Sequence, residues 1–156
     1  MRFGTMMMLA LLGIMPMFAQ FTTKKAMTLA AAKEIASAAE AEARKNNWTM
    51  VIVVVDDGGN LVYLEKMDGT QLGSIEVAQA KAKSAINFKR PTKAFEDGLV
   101  GGRQALLKLP GSIPIEGGVL IMAGDQIVGA IGVSGAQSKE DGVVAAAGVA
   151  AAAKIK

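Results

Sequence analysis

A chain of 156 residues is the size of one domain with a single core. It carries no cysteine and no histidine, which excludes a disulfide framework, thiol chemistry, a Ser/His/Asp triad, a histidine zinc site and any imidazole ligand to iron. Its 17 basic residues against 14 acidic ones give a net charge of +3, but the cations are scattered and aromatics make up only 4%, which argues against nucleic-acid or membrane-surface binding.

Residues 1 to 19 have the layout of a secretory signal: Arg2 is the positive start, Met6 to Phe18 is almost wholly apolar, and Ala19 is a small residue at a cleavage position. The apolar run is shorter than the roughly 20 residues that span a bilayer. Removal is therefore expected, leaving residues 20–156 as one domain in the periplasm or outside the cell, with no membrane attachment. Six of the ten methionines (Met1, Met6, Met7, Met8, Met15 and Met17) belong to this segment, and the rest are too few and too scattered for a copper site.

Thr28 is placed to cap a helix in which Leu29, Ala32, Ala36, Ala39 and Ala43 recur at steps of three and four, a small-residue stripe suited to close packing on a sheet. Asn46 and Asn47 end it. Met50 to Val55 is an apolar, β-branched run, the pattern of a strand buried on both faces rather than an edge. Asp56, Asp57, Gly58, Gly59 and Asn60 supply a tight reversal into a partner strand, Leu61 to Met67. Ser74 reads as the cap of a second helix running to about Phe88, with a stripe of Ile75, Ala78, Ala82 and Ala85 and with Lys81 on the neighbouring row; Pro91 stops it.

Residues 91 to 115 are irregular, with a short helix at Thr92 to Leu99 and a loop through Pro110, Gly111 and Pro114, the segment best placed to cover a ligand. Gly118 to Ala123 and Gln126 to Ser134 read as a second hairpin. Ser138 with Asp141 resembles a capping box that opens an alanine-rich helix, Lys139 to about Lys154. The order helix, hairpin, helix, loop, hairpin, helix predicts an α+β domain with an antiparallel sheet covered by helices, since no strand–helix–strand repeat is present.

Lys81, beside an alanine stripe, reads as a partly buried ammonium in need of an anionic partner, either a ligand carboxylate or Asp56; equally, its stem can lie on the helix flank with the head in water. Ser134 to Ser138 precede a helix start whose free N–H groups suit a carboxylate or phosphate, or simply a capped helix. Gly129, Gly132 and Gly135 lie along a strand rather than in the turn after it, so they suit close backbone packing better than a dinucleotide. Asp56, Asp57 and Asp68 read as solvated turn acids rather than a metal site. Glu116 is a candidate acid or base, and Arg103 a candidate clamp for an anionic substrate.

Several ordered blocks together carry a resemblance. They are the Asp56, Gly58, Gly59 turn; Met67, Asp68 and Gly69; Ser74; Lys81 and Ala82; Arg90, Pro91 and Thr92; Glu116, Gly117 and Gly118; and GAIGVSGA at 129–136 followed by Asp141. From about Leu29 to Ala151 the chain resembles the GlcG/HbpS family of small haem-associated proteins. The resemblance implies a five-stranded antiparallel sheet flanked by helices, assembly into homo-oligomers, and haem or a related ligand in some members. Leu120 departs from the proline that often follows the glycine pair in the family. Without histidine, any iron contact has to come from Met, Tyr63, Lys, a hydroxyl or a carboxylate, and spacing marks out none of them.

The leading reading is an exported small-ligand-binding protein that takes haem or another planar anionic compound through Lys81, Arg103, Glu116, Gly132, Ser134 and Gly135 and works as a homo-oligomer, with no metal site of its own. The alternative is an enzyme acting on a small carboxylated metabolite by proton transfer, with Lys81 and Glu116 as acid and base. A third is an interaction module whose alanine-rich helices form the oligomer interface. On the leading reading, Lys81→Ala weakens ligand binding with little loss of fold, whereas Gly132→Val disturbs the strand packing.

Overall fold

The computed structural model describes residues 22–155, so the signal-like segment 1–19 lies outside the described residues. Helix α1 (Leu29–Lys45) begins where Thr28 Oγ accepts a hydrogen bond from Ala31 N at 3.1 Å. Its buried stripe is Ala32, Ile35, Ala36, Ala39 and Ala43, while Leu29 is 52% exposed, because the stripe meets the sheet only from the second turn onward. Strand β1 (Val51–Asp56) is buried from Val51 to Val55 and pairs on both sides, as an uninterrupted β-branched run requires. Strand β2 (Leu61–Lys66) returns from it through the turn at Asp56 to Asn60.

Helix α2 (Ser74–Phe88) follows, then α3 (Lys93–Val100), a 3-10 turn at Gln104–Lys108, and the second hairpin, β3 (Gly118–Ala123) and β4 (Gln126–Ser134). Helix α4 (Ser138–Ala152) closes the order. The sheet runs β2-β1-β4-β3 with every neighbour antiparallel, so the two hairpins join through β1 and β4 at the centre. The chain is thus an α+β domain with an antiparallel sheet flanked by helices, and among the described residues the sheet has four strands rather than five.

The period-two alternation of strands divides the core. Ile52, Val54, Ile121, Ile131 and Val133 face α1 and α4, while Val51, Val53, Val55 and Ala130 face α2. Helix α2 sits directly on β4 at Gly132, where a Cβ would overlap the Ala78 carbonyl and lie 2.6 Å from Ala82 N. Two caps differ from the sequence reading. Gly73, not Ser74, precedes α2; Ser74 is buried in its first turn and accepts a hydrogen bond from Ser134 Oγ at 3.1 Å. In α4 the capping pair sits one residue earlier, with Gln137 N donating to Glu140 Oε2 at 3.0 Å, and Asp141 turns inward instead. Among the described residues no helix is long and apolar enough to cross a membrane.

Candidate functional site

Lys81 and Asp141 are 1% and 2% exposed. The Lys81 ammonium donates to Asp141 Oδ2 at 2.6 Å and to the Val133 carbonyl at 3.0 Å, and Asp141 Oδ1 accepts from Ala136 N at 3.2 Å. Burial pushes the Asp141 carboxyl above its ordinary range, opposed by the hydrogen bond and charge of Lys81 and by the backbone N–H groups of Ala136 and Gly135. The anionic partner of Lys81 is therefore Asp141 and not Asp56, whose Oδ1 accepts from Gly58 N and Asn60 N within its own turn. Gly117, at φ +125°, passes over the pair: a Cβ there would lie 2.7 Å from the Val133 carbonyl and 2.9 Å from Lys81 Nζ. The ion pair thus joins α2, β4 and the start of α4.

Glu116 lies at the rim of this hub. Its backbone N–H donates to the Glu96 carboxylate, whose other oxygen accepts from Ser138 Oγ at 2.9 Å, and its side chain lies against Gly142 in the first turn of α4. A carboxylate beside the N-terminal turn of a helix is favoured by the helix dipole. Ser134 is buried and bonded to Ser74, Gly132 is covered by α2, and Gly135 abuts Thr49 and Met50. Arg103 is exposed at the start of the 3-10 turn. Lys81, Glu116, Ser134 and Gly135 thus gather where β4 runs into α4, but none of the six expected residues lines either cavity described next.

A cavity of about 430 Å³ opens between residues 25–28, α1, the β3–β4 turn and the C-terminal end of α4. Met27, Ile35, Ile121, Val128 and Ala152 give it apolar walls, and Lys25 and Thr28 stand at its polar side. The arm that forms one wall is held by exposed polar contacts: Lys24 pairs with Asp57, Lys25 N donates to Gln126 Oε1 at 2.9 Å, and Lys25 Nζ donates to the Ala123 carbonyl at 3.3 Å. Strand β3 turns Val119, Ile121 and Ala123 to this side, whereas Met122, paired with Ile127, lies on the opposite face. The register shift between Ile121 and Met122 leaves Val128 as the extra residue on β4, which brings it to the same side as Ile131 and Val133. A second, more polar cavity is lined by Lys24, Asp57, Lys89 and Asp125.

Sequence reasoning missed Lys25, Met27 and Val128 because two precede the first helix and the third sits at a strand bulge, and no local pattern joins them.

The family described as "Haem degrading protein HbpS-like" matches residues 27–150. Protein GlcG of Escherichia coli K12 is 39% identical over 112 residues, covering 72% of this chain and 84% of GlcG. Among solved structures, Klebsiella pneumoniae protein ORFY superposes with a TM-score of 0.83 at 28% identity, covering 90% of this chain and 99% of ORFY. A double mutant of Streptomyces reticuli HbpS gives a TM-score of 0.75 at 31% identity over 87% of this chain and 95% of its own. The match over nearly all the described residues, on a fold shared with ORFY and HbpS, makes this chain a member of the GlcG/HbpS family.

Proposed function

We propose that the chain is an exported small-ligand-binding protein that takes haem or another planar anionic compound and works as a homo-oligomer in the periplasm or outside the cell. The observation that carries this reading is the cavity of about 430 Å³, within the size range of small-molecule sites and with apolar walls that end at a lysine. The family description supplies the link to haem. The residues present fit that group: apolar walls suit a macrocycle, the Lys25 ammonium suits a carboxylate on its edge, and the thioether of Met27 is a soft donor. Bound haem would supply iron-centred redox and ligand-binding chemistry. The protein's own part is to hold the ring and to exclude water from one of its faces.

The proton-transfer alternative requires Lys81 and Glu116 to meet at a cavity. The structure instead engages the Lys81 ammonium with two acceptors inside the core, which favours binding over turnover. The test is a haem titration of the purified protein, following the absorbance band together with the assembly's mass. Saturable, stoichiometric binding supports the proposal; weak binding without saturation defeats it. Lys25→Ala should weaken binding while leaving the thermal midpoint close to wild type, because the side-chain contact it removes is exposed and the backbone bond to Gln126 remains.

A further inference from the structure

We infer that residues 22–28 are a strap that closes the apolar cavity and lifts to admit the ligand, an inference that rests on reading that cavity as the binding site. Lys25, Ala26, Met27 and Thr28 form one of its walls. The walls supplied by α1, β3, β4 and α4 are held by the backbone ladders of those elements, whereas residues 22–27 make no backbone–backbone hydrogen bond among the described residues. The fixed end is Thr28, whose Oγ accepts from Ala31 N at 3.1 Å and whose carbonyl accepts from Ala32 N at 2.9 Å.

Three polar contacts and one side chain keep the arm down. Lys24 pairs with Asp57, Lys25 N donates to Gln126 Oε1 at 2.9 Å, and Lys25 Nζ donates to the Ala123 carbonyl at 3.3 Å, all of them exposed. Exposed ion pairs and hydrogen bonds exchange for water at little net cost. Within residues 22–28 only Met27 is half-buried, with its methyl group 3.2 Å from where a Gly129 Cβ would stand; the rest are exposed. The Asp56 to Asn60 turn and the β3–β4 turn lie at the same end of the sheet, since Asp56 stands opposite Gly129 and Ala123 opposite Gln126. Lys24 and Asp57 line the second cavity with Ile86 and Ile127, on the α2 face, while Met27 lines the first with Ile35 and Ile121, on the face of α1 and α4. The arm thus crosses the end of the sheet between the two cavities. Lifting it about Thr28 uncovers the apolar one and leaves the sheet and the helices intact.

The chain has no cysteine, so a pair introduced at the tether reacts alone. Lys24→Cys with Asp57→Cys, joined by a short thiol-reactive linker that a reductant cleaves, locks the arm; Lys24→Ala with Gln126→Ala cuts its tethers. Each form is mixed with metal-free protoporphyrin in stopped flow, and association and dissociation are read by fluorescence. The linked form is expected to associate at least about tenfold more slowly than wild type and to recover on reduction; the cut form should associate and dissociate faster, each by roughly three- to tenfold, with Kd little changed. A linked form that associates at the wild-type rate overturns the strap while the haem reading stands. So does a cut form with weaker affinity and an unchanged association rate, which makes the arm a wall and nothing more. Amide exchange tests the strap without a ligand: the Lys25 amide should exchange with solvent well before that of Ile131 in the central strand β4, and equal protection of the two overturns the inference whatever the cavity binds. If the wild type binds no porphyrin, the haem reading falls and amide exchange alone decides the strap.

Discussion

The ammonium of Lys81 and the carboxylate of Asp141 are both removed from water, and removing either strands the other as an unpaired buried charge. Lys81→Ala is accordingly expected to cost about 3–5 kcal/mol of stability, read as a lower urea midpoint, rather than to act chiefly on ligand affinity. The double variant Lys81→Met with Asp141→Leu should recover most of that loss; a double variant no more stable than Lys81→Ala would show that the pair does something packing cannot replace. Glu65 presents a contrasting case, a half-buried carboxylate bonded to a phenol rather than to a cation. Its Oε2 accepts from Tyr63 at 2.9 Å, while Oε1 is buried without a hydrogen-bond partner among the described residues. Burial pushes its carboxyl above the ordinary range, against the smaller opposing effect of the Tyr63 hydrogen bond.

The folded state therefore holds the Glu65 proton more tightly than the unfolded chain does. Its contribution to stability is full below the unfolded pKa and is lost as pH rises through the raised folded value. Glu65→Gln does not titrate, so its stability relative to wild type should be higher at about pH 7 than at about pH 4. Equal differences in urea midpoint at the two pH values would mean that the carboxylate is hydrated in solution. Asp141 shifts in the same direction, whereas Asp56, held below its ordinary range by hydrogen bonds from Asn60, shifts the other way.

At the level of elements, the contact between α2 and β4 depends on the absence of one side chain. A valine at 132 would drive its Cβ into the Ala78 carbonyl and Ala82 N, backbone atoms that cannot yield without shifting the helix. Gly132→Val should destabilise by about 3 kcal/mol or more, whereas Gly73→Ala, where a Cβ meets nothing within 4 Å, should stay within about 1 kcal/mol. Comparable losses in thermal melts of both variants would refute this account. The close approach at Gly132 was legible because a glycine on an apolar strand marks a near backbone, and β1 was legible as central because its residues are apolar on both faces. The caps were less so. Gln137, Ser138, Glu140 and Asp141 all carry capping-competent groups, and the choice among them followed from Asp141 being drawn inward by Lys81.

For the molecule as a whole, the sheet leaves β2 and β3 as edges, and large apolar side chains remain outside the core: Leu61 on β2 at 52% exposure, and Val100 and Leu107 in α3 and the 3-10 turn at 83% and 59%. Open edges and exposed apolar groups suit association between copies. Light scattering should give a mass that is a multiple of the monomer's, and Val100→Asp with Leu107→Asp should lower it while leaving the circular dichroism unchanged. A monomeric wild type would remove the homo-oligomer from the proposed function.

The amino-acid sequence by itself determined the elements, the two hairpins, the antiparallel class and the family, because strand alternation, helical stripes and turn glycines are local patterns of neighbouring residues. It also determined which iron ligands are available, since composition alone removes imidazole and thiolate. Tertiary structure decided that Lys81 answers Asp141, 60 residues away, and that Met27 and Val128 share one cavity with Lys25. Those pairings follow from the order β2-β1-β4-β3, the register of β3 on β4 and the seating of three helices on two faces. Such distances between separate elements arise only when the whole core packs at once, and no local pattern of residues contains them.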